Sequence, residues 1–248
     1  MLIDTHIHVG QFNDLYFAPS TIHELMEQLQ VDYYAVSSTT QCEENYLKVL
    51  SEIKKLIKLD GEKVLPIMWI TPEALQGNIA WYLESDIKWR MLKIHPFLNP
   101  SEWQPEGELL AEVLDIAREL KLPILIHTGN EECCKANLYE QTIKRNPNIT
   151  FILAHGRPIE SALRIAATYD NAYIDSAFMP VEHMNMFVIS GLSKKLLWGT
   201  DMCIPKHFNR NLDMEIYYQS KLCAFRNTCT NEQFEQVTYR NASFLFNL

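Results

Sequence analysis

The sequence predicts an α/β protein in which eight parallel strands close into a (β/α)8 barrel. Two observations favour this fold. Short apolar segments typical of buried strands recur eight times, and most of them are followed by a segment with helical spacing of apolar residues. The length of 248 residues suits one such barrel and needs no second core. No interdomain linker is visible, so residues 1–248 are expected to form a single domain.

The first strand is expected within MLIDTHIHVG, residues 1–10, and residues 11–19 are expected to form a polar and aromatic loop. Ser20 is the expected N-cap of a helix that runs to about residue 30. A second helix ends near Gly61, which suits a C-terminal cap, and Thr230 with Gln233 has the spacing of a capping box. The other strands are predicted at residues 33–37, 64–70, 91–97, 123–128, 149–155, 173–177 and 196–199. The other helices are predicted at residues 71–83, 106–120 and 139–144, and from Pro158 onwards.

Composition excludes several classes of function. Hydrophobic residues make up 47% and charged residues 21%, which are ordinary values for a globular protein. A formal net charge of -9 disfavours a nucleic-acid partner, because its phosphates would be repelled, and favours a small-molecule substrate. Neither a signal peptide nor an apolar run long enough to span a bilayer is visible, which predicts a cytoplasmic protein without a membrane partner. For the assembly, the sequence leaves a monomer and a homodimer open. The cysteines lack Cys-x-x-Cys spacing and are expected to be reduced thiols: Cys42, Cys133, Cys134, Cys203, Cys223 and Cys229.

Histidines and one aspartate collect at the C-terminal ends of the predicted strands. His6 and His8 alternate along the first strand, so their side chains share a face and can close on one ion. A pair of histidines in a satisfied core is the alternative. It is disfavoured because more polar residues end other strands, where the active sites of such barrels lie: His95, His127, His155 and Asp201.

Five short motifs carry a resemblance to a known family: Asp4 with His6-Ile7-His8, Lys93-Ile94-His95-Pro96, Ile126-His127-Thr128-Gly129, Ala154-His155-Gly156 and Gly199-Thr200-Asp201. Together they resemble the amidohydrolase superfamily. More narrowly, they resemble its amidohydrolase-related branch, which includes aminocarboxymuconate-semialdehyde decarboxylase, resorcylate-type decarboxylases and lactone hydrolases. The resemblance implies a distorted TIM-type barrel that binds a divalent metal ion, usually Zn²⁺.

The resemblance also implies roles for individual residues. The metal ligands carried over by position are His6, His8, His127 and Asp201, with His155 beside the metal-bound water. Asp201 and His155 are the expected catalytic residues, because proton transfer and stabilisation of an oxyanion need groups at that place. In some members of the superfamily a lysine on the fourth strand is carbamylated and bridges two metals. Here His95 shares the face of Lys93, which favours one metal with Lys93 as a cationic group beside it.

Four residues are expected to bind the substrate: Arg157, Lys93, His95 and Trp69. Arg157 can grip a carboxylate or phosphate with two hydrogen bonds, and the alternative for it is a surface ion pair with Glu160. Aromatic residues near the predicted mouth could wall a pocket for a cyclic or planar substrate: Trp69, Phe12, Phe97 and Trp103.

These residues predict a hydrolase that cleaves a small, anionic cyclic ester or amide with a metal-activated water. Non-oxidative decarboxylation of a small unsaturated or aromatic carboxylic acid is the alternative, because it would use the same ligands. A non-catalytic barrel that binds metal or ligand is a third reading. An open coordination position beside Asp201 and His155 argues against it, since a structural zinc is closed by four protein ligands.

Overall fold

The computed structural model describes residues 1–43 and 45–248. Its strands form one curled sheet with helices packed on the outside. The described strands are β1 (Ile3–Phe12), β2 (Leu15–Phe17), β3 (Tyr33–Ser38), β4 (Val64–Trp69), β5 (Met91–Ile94), β6 (Ile124–His127), β7 (Phe151–Ala154), β8 (Ala172–Asp175) and β9 (Leu196–Leu197).

The order of strands in the sheet is β2-β1-β3-β4-β5-β6-β7-β8-β9, and every neighbouring pair is parallel except β1 with β2. The chain after β9 returns to β1. Thr5 N donates a hydrogen bond to Trp198 O (2.8 Å), Asp201 N donates one to His6 O (2.8 Å), and Ile7 forms a parallel bridge with Met202. These few bonds bring the last parallel strand against the first, so the predicted α/β fold, a distorted (β/α)8 barrel, is confirmed.

Helices cover the outer face of the sheet. The described α-helices are α1 (Pro19–Gln28), α2 (Tyr46–Asp60), α3 (Ile79–Leu83), α4 (Glu108–Leu120), α5 (Glu140–Arg145), α6 (Ile159–Thr168), α7 (Val181–Ile189), α8 (Ile204–Phe208), α9 (Met214–Arg226), α10 (Asn231–Glu235) and α11 (Asn241–Phe246). None of the helices in residues 1–43 and 45–248 combines the length and apolarity needed to cross a bilayer.

Alternation along the strands separates two layers of core. Leu92 and Ile124 belong to the larger core that includes residues of the helices, whereas Met91 and Leu125 belong to a smaller cluster built from residues of seven strands. Ala242 and Phe246 of α11 join this smaller cluster, so the C-terminal helix packs on the barrel. Lys93 and His127 follow Met91 and Leu125 by two residues and therefore share their face. The barrel interior is thus apolar towards the strand beginnings and polar at the strand ends, where a site can form.

Two predictions of local structure are wrong. Residues 11–19 are not one loop, because β1 continues to Phe12 and forms a hairpin with β2 through Asn13 and Asp14; Asn13 has the positive φ (53°) that such a two-residue turn requires. Ser20 is not the N-cap of α1; Ala18 precedes the helix and Pro19 occupies its first turn, where a missing N–H costs nothing. The helix predicted from residue 71 is confirmed: it begins at Pro72, Thr71 Oγ1 accepts a hydrogen bond from Ala74 N (3.2 Å), and a π-helical segment at Ala74–Asn78 leads into α3. The predicted caps at Gly61 and Thr230 are confirmed.

Candidate metal centre and active site

Three side chains converge at the C-terminal end of the barrel. His6, His8 and Asp201 each offer a ligand atom, and these atoms lie within 4.8 Å of one another. Asp201 Oδ1 lies 2.8 Å from His8 Nε2 and 3.5 Å from His6 Nε2. The three residues are 1%, 3% and 5% exposed, and Asp201 Oδ1 has no hydrogen-bond partner of acceptable geometry among the described residues. A buried carboxylate oxygen that lacks such a partner and lies close to two imidazole nitrogens is the arrangement expected of a cation site.

Local structure explains how these side chains meet. The pairing of β1 with β3 shifts register between Asp4 and Ile7, and such an irregularity bends a strand and re-aims its side chains. Asp4 accepts hydrogen bonds from His6 N (3.1 Å) and from Thr200 N (3.2 Å) and Oγ1 (2.7 Å), so it ties β1 to the residue beside Asp201. Complete burial raises the pKa of Asp4 to about 7. Gly199 permits the close approach, because a Cβ there would lie 3.2 Å from His6 Cβ.

Asp175, the last residue of β8, orients His6. Its Oδ2 lies 2.8 Å from His6 Nδ1, and its Oδ1 accepts hydrogen bonds from Ala177 N (2.8 Å) and His155 N (3.2 Å). Burial works against ionisation of Asp175, but the neighbouring His6 and His155 lower its pKa below the usual value. An ionised carboxylate only accepts, so His6 Nδ1 carries the proton and Nε2 presents its lone pair to Asp201 and His8.

The amine of Lys93 on β5 lies at the same point. Its Nζ is 2.9 Å from His6 Nε2, 3.3 Å from His8 Nε2 and 4.5 Å from the centroid of the Trp69 ring. The side chain is buried, and this desolvation lowers the pKa of Lys93 to about 8. The Nε2 atoms of both histidines therefore lie around a position that attracts a cationic group.

His127 and His155 form a second, adjoining pair. His155 Nδ1 lies 2.9 Å from the carbonyl oxygen of Ala177 and therefore donates to it, which leaves His155 Nε2 as an acceptor for His127 Nδ1 at 3.1 Å. His127 Nε2 then keeps its lone pair. His127 is outside the group of three ligand atoms, and its ring stacks on His95 with centroids 3.8 Å apart. Burial lowers the pKa of all three histidines, so they are neutral near pH 7.

A cavity of about 460 Å³ opens over these residues. It is lined by eight of the nine residues predicted for the site: His8, Trp69, Lys93, His95, His127, His155, Arg157 and Asp201. Phe12 and Phe97 also line it, but the aromatic wall predicted at Trp103 is wrong, because this side chain is buried in the hydrophobic core. A larger cavity of about 600 Å³ lies at the beginnings of β3 and β4 and contains no predicted site residue.

Arg157 reaches the cavity from the loop after β7. Its backbone N–H donates to Thr128 Oγ1 (3.0 Å), and Nη2 donates to the carbonyl oxygen of Phe178 (3.1 Å). Among the described ion pairs none joins Arg157 to Glu160, so the guanidinium keeps most of its donors for another partner. The side chain is half-buried, which allows contact with a molecule in the cavity.

The profile of a family described as "Amidohydrolase" matches residues 77–248, more than half of the chain. The chain belongs to the amidohydrolase family. This match confirms the predicted resemblance and, with it, the prediction of an enzyme. No curated protein matches the chain.

Solved structures show how widely this amidohydrolase shares its fold. An uncharacterised TIM-barrel protein from Bordetella bronchiseptica is 14% identical over 99% of this chain and 98% of that chain, with a TM-score of 0.72. A probable 2-pyrone-4,6-dicarboxylic acid hydrolase from Acinetobacter baumannii is 12% identical over 100% and 99%, with a TM-score of 0.67. A 5-carboxyvanillate decarboxylase from Novosphingobium aromaticivorans, solved with manganese, is 9% identical over 100% and 96%, with a TM-score of 0.70. At these identities the likeness shows the fold alone.

Sequence reasoning missed Asp175, although it orients the first histidine of this amidohydrolase. The residue falls within the strand predicted at residues 173–177, and an acidic residue near the end of a buried strand was a usable signal. The contact with His6 spans 169 positions, so no local spacing could reveal it.

Proposed function

We propose that this chain is a metal-dependent hydrolase that cleaves a small, anionic cyclic ester or amide. The observation that carries the proposal is the convergence of His6, His8 and Asp201, with an orphaned carboxylate oxygen, at the floor of a cavity that also contains Arg157. Two imidazoles and one carboxylate suit Zn²⁺, and we propose one Zn²⁺ per chain with His127 as the further ligand. A divalent ion bound there would supply hydroxide at neutral pH by lowering the pKa of a bound water to about 7.

Asp201 is the proposed proton shuttle. Burial opposes its ionisation, but His6, His8 and His155 around it hold its pKa well below the usual range, so its carboxylate is ionised before the reaction. It can accept the proton of the attacking water and later deliver it to the leaving oxygen or nitrogen. Asp201 is thereby both a ligand and the general base.

His155 is proposed to orient the attacking water. The carbonyl oxygen of Ala177 accepts from its Nδ1 and fixes the ring, which leaves Nε2 as an acceptor beside His127 in a side chain that lines the cavity. An acceptor held in place in this way is pre-organised, so the ring need not reorient when the water binds.

Arg157 and Lys93 are the proposed anion-binding groups. The two side chains line the same cavity, Arg157 at its half-exposed rim and Lys93 on its buried floor. Trp69 stacks on His95 with ring centroids 5.4 Å apart, and these parallel rings offer a flat wall to a planar substrate. The expected ligand therefore combines a flat ring with at least one carboxylate or phosphate.

Decarboxylation is the second candidate, and the place of Lys93 beside the metal ligands supports it. A buried amine 2.9 Å from His6 Nε2 could hold a substrate carboxylate at the metal ligands themselves, and Asp201 or His155 could then protonate the carbon that loses CO₂.

A substrate screen separates the two reactions. Lactones, cyclic amides and aromatic or unsaturated carboxylic acids would be offered to the zinc-loaded protein, while ring opening and CO₂ release are followed separately. We expect ring opening of an anionic lactone or amide without CO₂. Release of CO₂ from a carboxylic acid, with every cyclic ester and amide left intact, would establish the decarboxylase instead.

A further inference from the structure

Two adjacent cysteines lie beside the cavity and take no part in the proposed reaction. Cys133 and Cys134 end a 3-10 turn, Glu132–Cys134, in the loop after β6, and their sulfur atoms are 3.5 Å apart. Neither forms a disulfide. Because the two sulfur atoms are this close, a single incoming atom can contact both.

The spacing of the sulfur atoms suits chelation. A zinc–sulfur bond is about 2.3 Å long, so two sulfurs on one tetrahedral ion lie about 3.8 Å apart, close to the observed separation. A disulfide would require the two atoms to approach to about 2.0 Å, which is a much larger displacement. The turn therefore holds the thiols nearer to the geometry of a chelate than to that of a disulfide.

We propose that Cys133 and Cys134 form a dithiol site for one soft, thiophilic atom, of the class represented by trivalent arsenic. An arsenoxide condenses with two thiols: two S–H bonds and the As=O bond break, two As–S bonds form, and one water leaves. No oxidant or reductant is needed. Soft sulfur donors favour such an atom over the hard ions that carboxylate oxygens hold.

The two thiols have different surroundings. Cys133 is half-buried, whereas Cys134 is completely buried. Burial and the contact with Cys133 raise the pKa of the Cys134 thiol, so it stays neutral at physiological pH. We expect a reagent to reach Cys133 first and Cys134 to close the chelate.

The dithiol site is connected to the cavity through the backbone of its own turn. Cys134 N donates a hydrogen bond to Glu131 O (2.9 Å), and Gly129 N donates one to Cys134 O (3.0 Å). Gly129 and Glu131 both line the cavity. A Cβ at Gly129 would lie 3.3 Å from Cys134 Cβ, so the cysteine packs directly behind the cavity wall. A chelate across the two cysteines should therefore rigidify residues 129–134 and, with them, one wall of the active site.

Phenylarsine oxide, a trivalent arsenical, is the probe for this site. The reduced, metal-loaded protein would be treated with one equivalent, washed with excess glutathione and weighed intact. We expect one phenylarsenic group per chain in the parent and in Cys223→Ser, which removes an exposed cysteine on α9. Dithiothreitol should release the group, and Cys133→Ser should retain none after the wash. An adduct that persists in Cys133→Ser, or a parent adduct that glutathione strips, would overturn the proposed site.

Hydrogen exchange tests the connection to the cavity. With phenylarsenic bound, we expect the amides of Gly129 and Cys134 to exchange at least tenfold more slowly, with no change in treated Cys133→Ser. If the adduct forms and those amides exchange as before, the chelate does not rigidify the cavity wall, and that part of the inference is wrong. Neither readout depends on a substrate, so both remain informative if the proposed hydrolysis fails.

Discussion

The two sides of the barrel mouth differ in how firmly their side chains are held. On the side of β1, β8 and the chain after β9, each candidate ligand is buried; His6 is oriented by Asp175, and His8 Nδ1 lies 3.0 Å from Ser37 Oγ. On the side of the loops after β5 and β7, Arg157 is half-buried and Phe97 is 51% exposed. We infer that the first side is built for the reaction and the second for choosing the substrate.

The largest loss of activity should come from Asp201→Asn. This substitution changes the side of the mouth that carries the candidate metal ligands and leaves the other side intact. We expect kcat on the substrate found by the screen to fall by about 10²- to 10⁴-fold with KM nearly unchanged, because a positioned general base typically contributes that much. Steady-state kinetics and metal analysis of the same sample distinguish loss of proton transfer from loss of metal. A kcat near that of the parent would show that another group moves the proton.

Asp175→Asn tests whether His6 must be oriented for the metal to bind. We expect the dissociation constant for Zn²⁺ to rise about 10- to 100-fold, because loss of a partner that orients a metal-bound histidine typically has that effect. Competition with a chelating dye measures the constant. Asp170→Asn, an exposed carboxylate just before β8, is the matched control and should bind Zn²⁺ as the parent does. Equal affinity of Asp175→Asn and the control would mean that the contact is structural only.

On the other side of the mouth, Arg157→Met should weaken substrate recognition without loss of metal. The loss of a charge-assisted hydrogen bond, about 1.5 to 3 kcal/mol, should lower kcat/KM about ten- to a hundredfold. Arg210→Met is the control, because that guanidinium pairs with Asp14. If Arg157→Met matches the parent in kcat/KM and in salt dependence, the anion is held elsewhere or the substrate is neutral.

The buried histidines make the stability of the metal-free protein depend on pH. Burial and the charge of Lys93 lower the pKa of His8 from 6.5 to about 3, and burial also lowers the pKa of His95, His127 and His155. Below about pH 6.5 the unfolded chain binds more protons at these groups than the folded chain, so their contribution to the free energy of unfolding falls as pH falls towards 3. Asp4 has the opposite effect: between its usual pKa and about 7, its contribution to the free energy of unfolding rises as pH falls. Asp4 is one group, however, and the four histidines act together.

We therefore expect the urea midpoint of the chelator-treated protein to fall when the pH is lowered from 7 to 5. Fluorescence-monitored unfolding at several pH values measures it. A midpoint that is constant or rises on acidification would show that these histidines already bind protons in the folded protein.

On the side of the mouth that carries the candidate metal ligands, the sequence predicted where the site residues lie. It did not predict which other residues hold them in place. Alternation along a strand is a local rule. It therefore placed His6 and His8 on one face of the first predicted strand, and Lys93 and His95 on one face of the fourth. What holds these residues comes from far along the chain. Asp175 reaches His6 across 169 positions and Thr200 reaches Asp4 across 196, and such contacts follow from barrel closure, which no local pattern encodes.

The loops were less predictable for a different reason. An exposed aromatic and a core aromatic look alike in a sequence, so Phe97 and Trp103 were both expected at the mouth although only Phe97 lies there. The turn Asn13-Asp14 carried a hairpin signal, but it stood in a polar segment whose flanking strands were too short to recognise.

The metal content of the purified protein tests the account most directly. We predict close to one divalent ion per chain by elemental analysis, close to none in folded His6→Ala, and a full complement in His183→Ala, which lies on α7. His127→Ala should also lose the ion if His127 is the further ligand. Two ions per chain, with the Lys93 amine carbamylated in the mass spectrum, would contradict the single centre at His6, His8 and Asp201.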